Sequence, residues 1–391
     1  MDFRPTREMD ELRREIRRLL GEALPAGWQG SGFLPMDVMP EHVELARALD
    51  RRLAAQRLLA PAWPVEYGGR GLTPFEQFTL YEELGYALAP RLTTISVDLV
   101  GPVIILYGSD EQRHRHLPAI ANDAVIWCQG FSEPGAGSDL TSLRTRAERR
   151  GDRYVVNGHK IWTSMAHCAE WMVLLARTGP EDSRARGLSL FLLPTNAPGI
   201  DIRPIRDAIN EHALNEVFFQ DVEVPVGDRV GEENDGWRYA TTLLQYERGD
   251  ALFIGQFRRL LDDLASTLRC EPARRQRSSA YDRLAQHEVE WHVGRVLTLL
   301  VVSMQASGFH PDREASEAKL FVSEADQRLG TTAQRLCGLY GNLSRREPLA
   351  PLGGRIEPAA ISSTTATLIA GTSEIQRTII ATRGLGLPRG A

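Results

Sequence analysis

Apolar residues recur at helical spacing through positions 1–120 and again from Gly236 to the C-terminus, with short β-type runs between. Met9, Leu12, Ile16, Leu19 and Leu20 form one helical stripe behind a Thr6 cap, and Val43, Leu45, Ala46, Leu49 and Leu53 form a looser one. Pro and Gly at 61–74 mark a long loop. Apolar runs at 171–176, 188–193 and 217–224 are separated by Gly, Pro, Asn and Asp clusters, as in a small β-barrel or sandwich. The order helix, sheet, helix predicts an α+β chain divided at 1–120, 121–233 and 234–391.

Within the last segment, Trp237, Ala240, Leu244, Glu247, Ala251 and Ile254 follow one another by three or four positions, which is one face of a single helix. Glu247 stands in the middle of that apolar stripe. A carboxylate there needs a counter-ion or a cavity, because burying it unpaired is costly. Burial also raises a carboxylate pKa toward the range in which a general base works. A structural ion pair with an arginine meets the same requirement, and the stripe alone leaves both readings open.

Three polar segments carry candidate chemistry. Trp127 to Leu140 reads WCQGFSEPGAGSDL, in which Pro134, Gly135 and Gly137 shape a loop and Ser132, Ser138 and Asp139 supply short polar groups. Asn157-Gly158, between Tyr154-Val155-Val156 and Lys160-Ile161-Trp162, predicts a hairpin turn, with Trp162, Thr163 and Ser164 on its second strand. An aromatic plane beside hydroxyls suits a flat heteroaromatic ring, and an ordinary hairpin with a core Trp has the same sequence. Ala370 to Arg377 reads AGTSEIQR, where Ser373 and Gln376 fit a capping box.

Composition narrows the classes. Hydrophobic content of 42% and charged content of 25% are those of an ordinary globular protein, and no apolar run is long enough to span a bilayer. The N-terminus does not read as a signal peptide, and Asp2, Glu8, Asp10, Glu11 and Glu15 argue against a transit peptide, so a cytoplasmic location is expected. Four dispersed cysteines without a CxxC suggest neither a zinc ribbon nor a disulfide framework. His114 and His116 read as a solvated basic turn, and no metal is expected. With a net charge of −5, the clusters Arg13, Arg14, Arg17, Arg18 and Arg274, Arg275, Arg277 read as solvated helix faces and not as a nucleic-acid surface. Lysine occurs only at Lys160 and Lys319, a skew that reads as genome composition. There is no GxGxxG or Walker A motif.

In this order and spacing the three segments resemble the acyl-CoA dehydrogenase family of flavoproteins. Gly69-Arg70-Gly71-Leu72, Glu82-Glu83-Leu84, Gly108-Ser109-Asp110-Glu111-Gln112, Asn215-Glu216-Val217-Phe218-Phe219 and Asp221-Val222-Glu223-Val224-Pro225 extend the resemblance over nearly the whole chain. It implies an N-terminal helical domain, a middle β domain and a C-terminal four-helix bundle, with FAD as cofactor and a homotetramer or homodimer. It also implies an acyl thioester substrate, oxidised to the 2-enoyl thioester, with electrons leaving through an electron-transfer flavoprotein. Carried over by motif, Phe131, Ser132, Trp162 and Ser164 contact the flavin and Ser138 lies near the acyl or pantetheine path. Thr372 and Glu374 hold the FAD pyrophosphate and adenosine. Gln334 and Gly338 reach the FAD of a neighbouring subunit.

Two departures qualify that picture. Most of the family carries a glutamate base immediately before this Gly-Thr-Ser, and here Ala370 stands there. Isovaleryl-CoA and long-chain acyl-CoA dehydrogenases place the base on the earlier helix, in a Glu-Arg pair that Glu247-Arg248 resembles. The resemblance therefore assigns the base to Glu247 and leaves Ala370 its backbone N–H as a donor to the thioester carbonyl. The family's Arg-x-x-Phe-Gly cofactor motif is absent, with Arg275 and Arg277 as unaligned substitutes. A flavin monooxygenase, a supporting subunit of a mixed assembly, and a carrier-protein tether in place of CoA remain alternatives. The space opened by Ala370 predicts a branched, cyclic or bulky acyl group.

Overall fold

Helix α1 (Arg7–Ala23) starts where Thr6 accepts a hydrogen bond from Met9 N, and Met9, Leu12, Ile16, Leu19 and Leu20 are all buried, as their spacing predicts. The computed structural model describes residues 3–31, 38–246, 251–270, 278–345 and 347–388. Its chain divides into two compact units, one made of 1–35, 72–89 and 248–391, the other of 36–71 and 90–247.

The first unit joins α1 and α3 (Pro74–Tyr86) to the C-terminal helices α7 (Ala251–Cys270), α8 (Ser278–Ala306), α9 (Asp312–Cys337), α10 (Ile356–Ala366) and α11 (Ser373–Ile379). Helices α7 to α10 enclose a core that includes Phe257, Leu264, Leu284, Leu329 and Ile356. Helix α3 lies against α7 at glycine distance: a Cβ on Gly85 would meet Leu252 O at 2.1 Å, and one on Gly255 would meet Glu82 O at 2.2 Å. Arg13 and Arg17 bind Glu83 at 2.9 and 2.7 Å, and Arg295 binds Glu82 at 2.5 Å. The α1 arginine cluster is thus in part an interhelical ion-pair row and not simply a solvated face. Arg274, Arg275 and Arg277 lie outside the described residues.

The second unit is built on an eight-stranded sheet of β1 (Trp127–Gly130), β2 (Arg146–Arg150), β3 (Arg153–Lys160), β4 (Trp171–Arg177), β5 (Leu188–Pro194), β6 (Ile200–Ile205), β7 (Leu214–Pro225) and β8 (Arg229–Val230). The order is β6-β7-β3-β2-β4-β5-β8, with β1 parallel to β4. Helices α2 (Val43–Ala55), α4 (Gly101–Tyr107), α5 (Asp110–Ala121) and α6 (Gly236–Tyr246) belong to this unit, as does a π-helical turn at Ile95–Val100. Among the described residues no helix is long and apolar enough to cross a membrane, and no cluster of three or more potential ligands could hold a metal.

Three local expectations are corrected. Asn157-Gly158 is not a hairpin turn: it lies inside β3, where the pairing with β7 shifts register between Val156 and Gly158. Glycine is needed there for close approach, since a Cβ on Gly158 would meet Thr145 Oγ1 at 2.4 Å. The turn itself falls at Gly151-Asp152, between β2 and β3. His116 is not in a solvated turn; it is buried on α5 with its ring edge-on to Trp127 and Trp171, at 5.1 and 4.7 Å. The N-cap of α11 is Thr372, whose hydroxyl accepts from Ile375 N, so Ser373 is not the cap. On the predicted stripe at 237–254, Ala240, Ala251 and Ile254 are buried, whereas Glu247 and Arg248 lie outside the described residues.

Candidate active site

The loop after β1 is built on a buried ion pair. Glu133 exchanges backbone hydrogen bonds with Ala136, at 3.0 Å each way, which closes the Pro134-Gly135 turn. Its carboxylate turns inward and accepts from Arg144 N (2.7 Å), Thr145 N (2.8 Å) and Lys160 Nζ (2.8 Å). Lys160 is 0% exposed and also donates to Phe131 O at 2.9 Å. Burial pulls the Lys160 ammonium down to about 8, against the opposing pull of Glu133. Burial alone would raise Glu133; Lys160 and the hydrogen-bond donors outweigh it and hold the carboxyl below its ordinary value.

Two of the predicted segments meet here. Ile161 N donates to Ser132 O at 3.0 Å, bringing Phe131-Ser132 to the start of the Ile161–Ser164 segment. Phe131 is buried, and Ser132 and Ser164 are half-buried. Strand β3 ends at Lys160, and Trp162 follows with φ 61° and 57% of its surface exposed. A large residue in the left-handed region costs of order 1–2 kcal/mol, and such outliers persist where surrounding contacts over-determine them. At the far end of the loop Ser138 is exposed, and Arg184 grips Asp139 at 2.8 and 2.9 Å.

Asn215 holds the residue next to Trp162. Thr163 N donates to Asn215 O and Asn215 Nδ2 donates to Thr163 O, both at 3.0 Å. The fully buried Asn215 amide also meets His167 Nδ1 at 3.2 Å and His212 Nε2 at 2.9 Å, with the two imidazoles stacked 4.1 Å apart. An amide nitrogen only donates, so His167 Nδ1 accepts and His167 is neutral in this arrangement. Burial and then the neighbouring His212 lower the His167 pKa, in keeping with that state.

In the other unit, the turn between α10 and α11 carries a second group of candidate residues. Ala370 has φ 51° and Gly371 φ 86°. Gln376 Nε2 donates to Ala370 O at 3.0 Å and to Gly371 O at 3.1 Å, so the Gln376 read as a capping-box partner is instead the anchor of this turn. Lys319 Nζ donates to Ala366 O at 3.0 Å and to Gly371 O at 2.9 Å. With those carbonyls bound inward, the Ala370 N–H meets no backbone acceptor among the described residues. Glu374 is exposed in the first turn of α11, and its carboxyl is held below the ordinary range by a backbone N–H and the Thr372 hydroxyl.

Gln334 and Gly338 are not at this turn. They lie at the end of α9, with Gln334 fifteen residues on from Lys319, or about 22 Å along the axis at 1.5 Å per residue, and Gly338 just past the last turn. Gln334 Nε2 donates to Asn342 Oδ1 at 2.6 Å, and Gly338 takes φ 61°, ψ −141°, which favours glycine.

Sequence reading missed Glu133, Asn215 and both lysines. A signal was available for the lysines: they are the only two among 46 Lys and Arg residues, and each is buried under a predicted site loop.

Three family models match the chain: acyl-CoA dehydrogenase N-terminal domain over residues 6–124, middle domain over 128–222 and C-terminal domain over 234–385. The acyl-CoA dehydrogenase IpdE1 of Mycobacterium tuberculosis is 38% identical over 302 residues, 75% of each chain. Among solved structures, the Tcur3481-Tcur3483 steroid ACAD superposes with a TM-score of 0.91 at 32% identity, covering 100% of both chains. The ChsE4-ChsE5 complex from Mycobacterium tuberculosis gives 0.88 at 32% identity, again over 100% of both.

Proposed function

The chain belongs to the acyl-CoA dehydrogenase family of oxidoreductases, and from that premise we propose that it oxidises a bulky acyl thioester to its 2-enoyl form, with FAD as cofactor and an electron-transfer flavoprotein as the next carrier. The residues present suit a flavin: an exposed Trp162 beside Thr163 and Ser164, the Phe131-Ser132 backbone, and a helix N-terminus at Thr372-Glu374 for phosphate oxygens. Bound FAD supplies the two-electron acceptor for the β-hydrogen. Gln334, about 22 Å along α9 from Lys319, and Gly338 beyond it suit an FAD shared with a neighbouring subunit.

The observation that carries the reading is the Ala370 peptide, held at φ 51° with its carbonyl bound and its N–H free of backbone acceptors among the described residues. That N–H donates to the thioester carbonyl oxygen, drawing charge onto it as the α-proton leaves. Glu247 takes the α-proton and Arg248 adjoins the thioester; both assignments rest on the sequence. An alanine side chain leaves room for branching near the α and β carbons, and the steroid substrate class printed for the solved relative fits that room. The cytoplasm is the proposed location.

Anaerobic bleaching of the flavin across a panel of thioesters tests the reading. Cycloalkyl, branched or polycyclic acyl-CoAs should reduce it with higher kcat/KM than butyryl-CoA, and a preference for butyryl-CoA would overturn the substrate assignment. A mixed assembly with a second, related subunit is the other reading, favoured by the paired names of both solved relatives. The subunit composition of the FAD-bearing species decides between it and a homo-oligomer.

A further inference from the structure

Lys319 is 5% exposed on α9, among the buried residues Ala315, Ser316, Ala318, Val322 and Ser323. An ammonium in such surroundings is tolerated only where oxygens replace its water. Here two carbonyls do so, Ala366 O at 3.0 Å and Gly371 O at 2.9 Å. Ala366 is the last residue of α10, so its carbonyl is one of those a helix end leaves without an intrahelical partner. Gly371 O is shared with Gln376 Nε2. The ammonium therefore spans the turn, tying its entry to the residue after Ala370.

The choice of lysine is itself informative. In a chain that uses arginine almost everywhere, the other lysine, Lys160, also binds a backbone carbonyl, donating to Phe131 O beneath the candidate loop of its own unit. A compact ammonium with three donors fits convergent oxygens in a closed site, where a planar guanidinium fork is larger and directs its hydrogens apart.

We propose that Lys319 is a positioning residue for thioester oxidation: by binding Ala366 O and Gly371 O it holds Ala370 in its left-handed conformation, with the N–H aimed at the thioester carbonyl. This rests on the reading of Ala370 given above. Loss of the ammonium frees the turn to relax toward φ < 0, which rotates the N–H away.

The test is isotope-edited infrared spectroscopy of cyclohex-1-ene-carbonyl-CoA, labelled with carbon-13 at the carbonyl and bound to the oxidised, FAD-loaded enzyme. The wild-type carbonyl stretch should move to lower frequency on binding. In Lys319→Met it should return toward its value in water while FAD stays bound, and flavin reduction by the saturated thioester should slow by about 10²–10³-fold, as for loss of an oxyanion donor. An unshifted carbonyl in the wild type would overturn the Ala370 reading itself. A shifted carbonyl in the wild type and equally in Lys319→Met would leave Ala370 standing and overturn the role of Lys319. Should Lys319→Met fail to fold, Lys319→Arg keeps the buried charge, and the same carbonyl frequency decides in the same way.

Discussion

Lys160 Nζ lies 2.8 Å from Glu133 Oε1, and both side chains are buried beneath the loop that begins at Phe131. The pair shapes the loop because each partner also binds backbone: Glu133 the N–H groups of Arg144 and Thr145, Lys160 the carbonyl of Phe131. Removing one partner of a buried pair strands the other charge and costs about 3–5 kcal/mol. Lys160→Met should therefore lower stability by that order and release FAD. Lys160→Arg should rescue little, since a planar guanidinium fork directs its hydrogens apart and does not reproduce the compact ammonium between Phe131 O and Glu133 Oε1. Thermal melts and flavin content of the purified variants measure both.

His116 makes stability depend on pH. Burial, and next to it Arg115, lower its pKa from 6.5 to about 4. The unfolded chain thus binds the proton more readily between those values, so stability falls as pH drops through that window. The contribution is of order 2–3 kcal/mol across it. Asp123, pushed up from 3.8 to about 7 by burial and the nearby Asp50, acts in the opposite sense over the whole of that range. The difference between wild type and His116→Gln isolates the histidine: wild type should lose more stability than the variant between pH 6.5 and 4 in denaturant titrations.

Asn215→Ala should loosen the Trp162 segment. It strands Thr163 O and removes the amide shared by His167 and His212, with an expected cost of about 1–3 kcal/mol. FAD affinity should weaken, and Trp162 fluorescence should become more accessible to acrylamide. Unchanged quenching would show that Thr163 is held by other contacts.

Glu247→Gln should abolish most flavin reduction by substrate while FAD remains bound. Loss of a general base costs about 10²–10⁴-fold in rate. Stopped-flow reduction at the wild-type rate would make Glu247 structural.

Ala370→Gly keeps the N–H and removes the left-handed penalty of about 1–2 kcal/mol. The variant should be as stable as wild type or somewhat more so, up to the extra unfolded-chain entropy of glycine. It should retain flavin reduction with bulky thioesters. A large loss of activity would mean that the methyl group itself packs against substrate.

Local pattern determined much of this protein. The 3.6-residue stripe behind Thr6 specifies α1 because its face and its cap lie within one segment. The apolar runs of β4 and β5 specify buried strands for the same reason. The family motifs likewise marked Trp162 and Ala370, which the fold holds at positive φ. What the sequence left open depended on partners distant along the chain. Asn-Gly is a turn signal in isolation, but Thr145, thirteen residues away, makes Gly158 a point of close approach within a strand. His116 next to arginine looks solvated until Trp127 and Trp171 cover it. Helices α1 and α3 join the C-terminal bundle while α2, α4 and α5 join the sheet, a division set by facing surfaces such as Gly85 against Leu252 and not by order in the chain. Lys160 and Lys319 are visible in the sequence as a count of two, but their role depends on which carbonyls converge on each ammonium. Hydrogen bonding acts over about 3 Å of space, at any separation in sequence, so only tertiary structure could decide it.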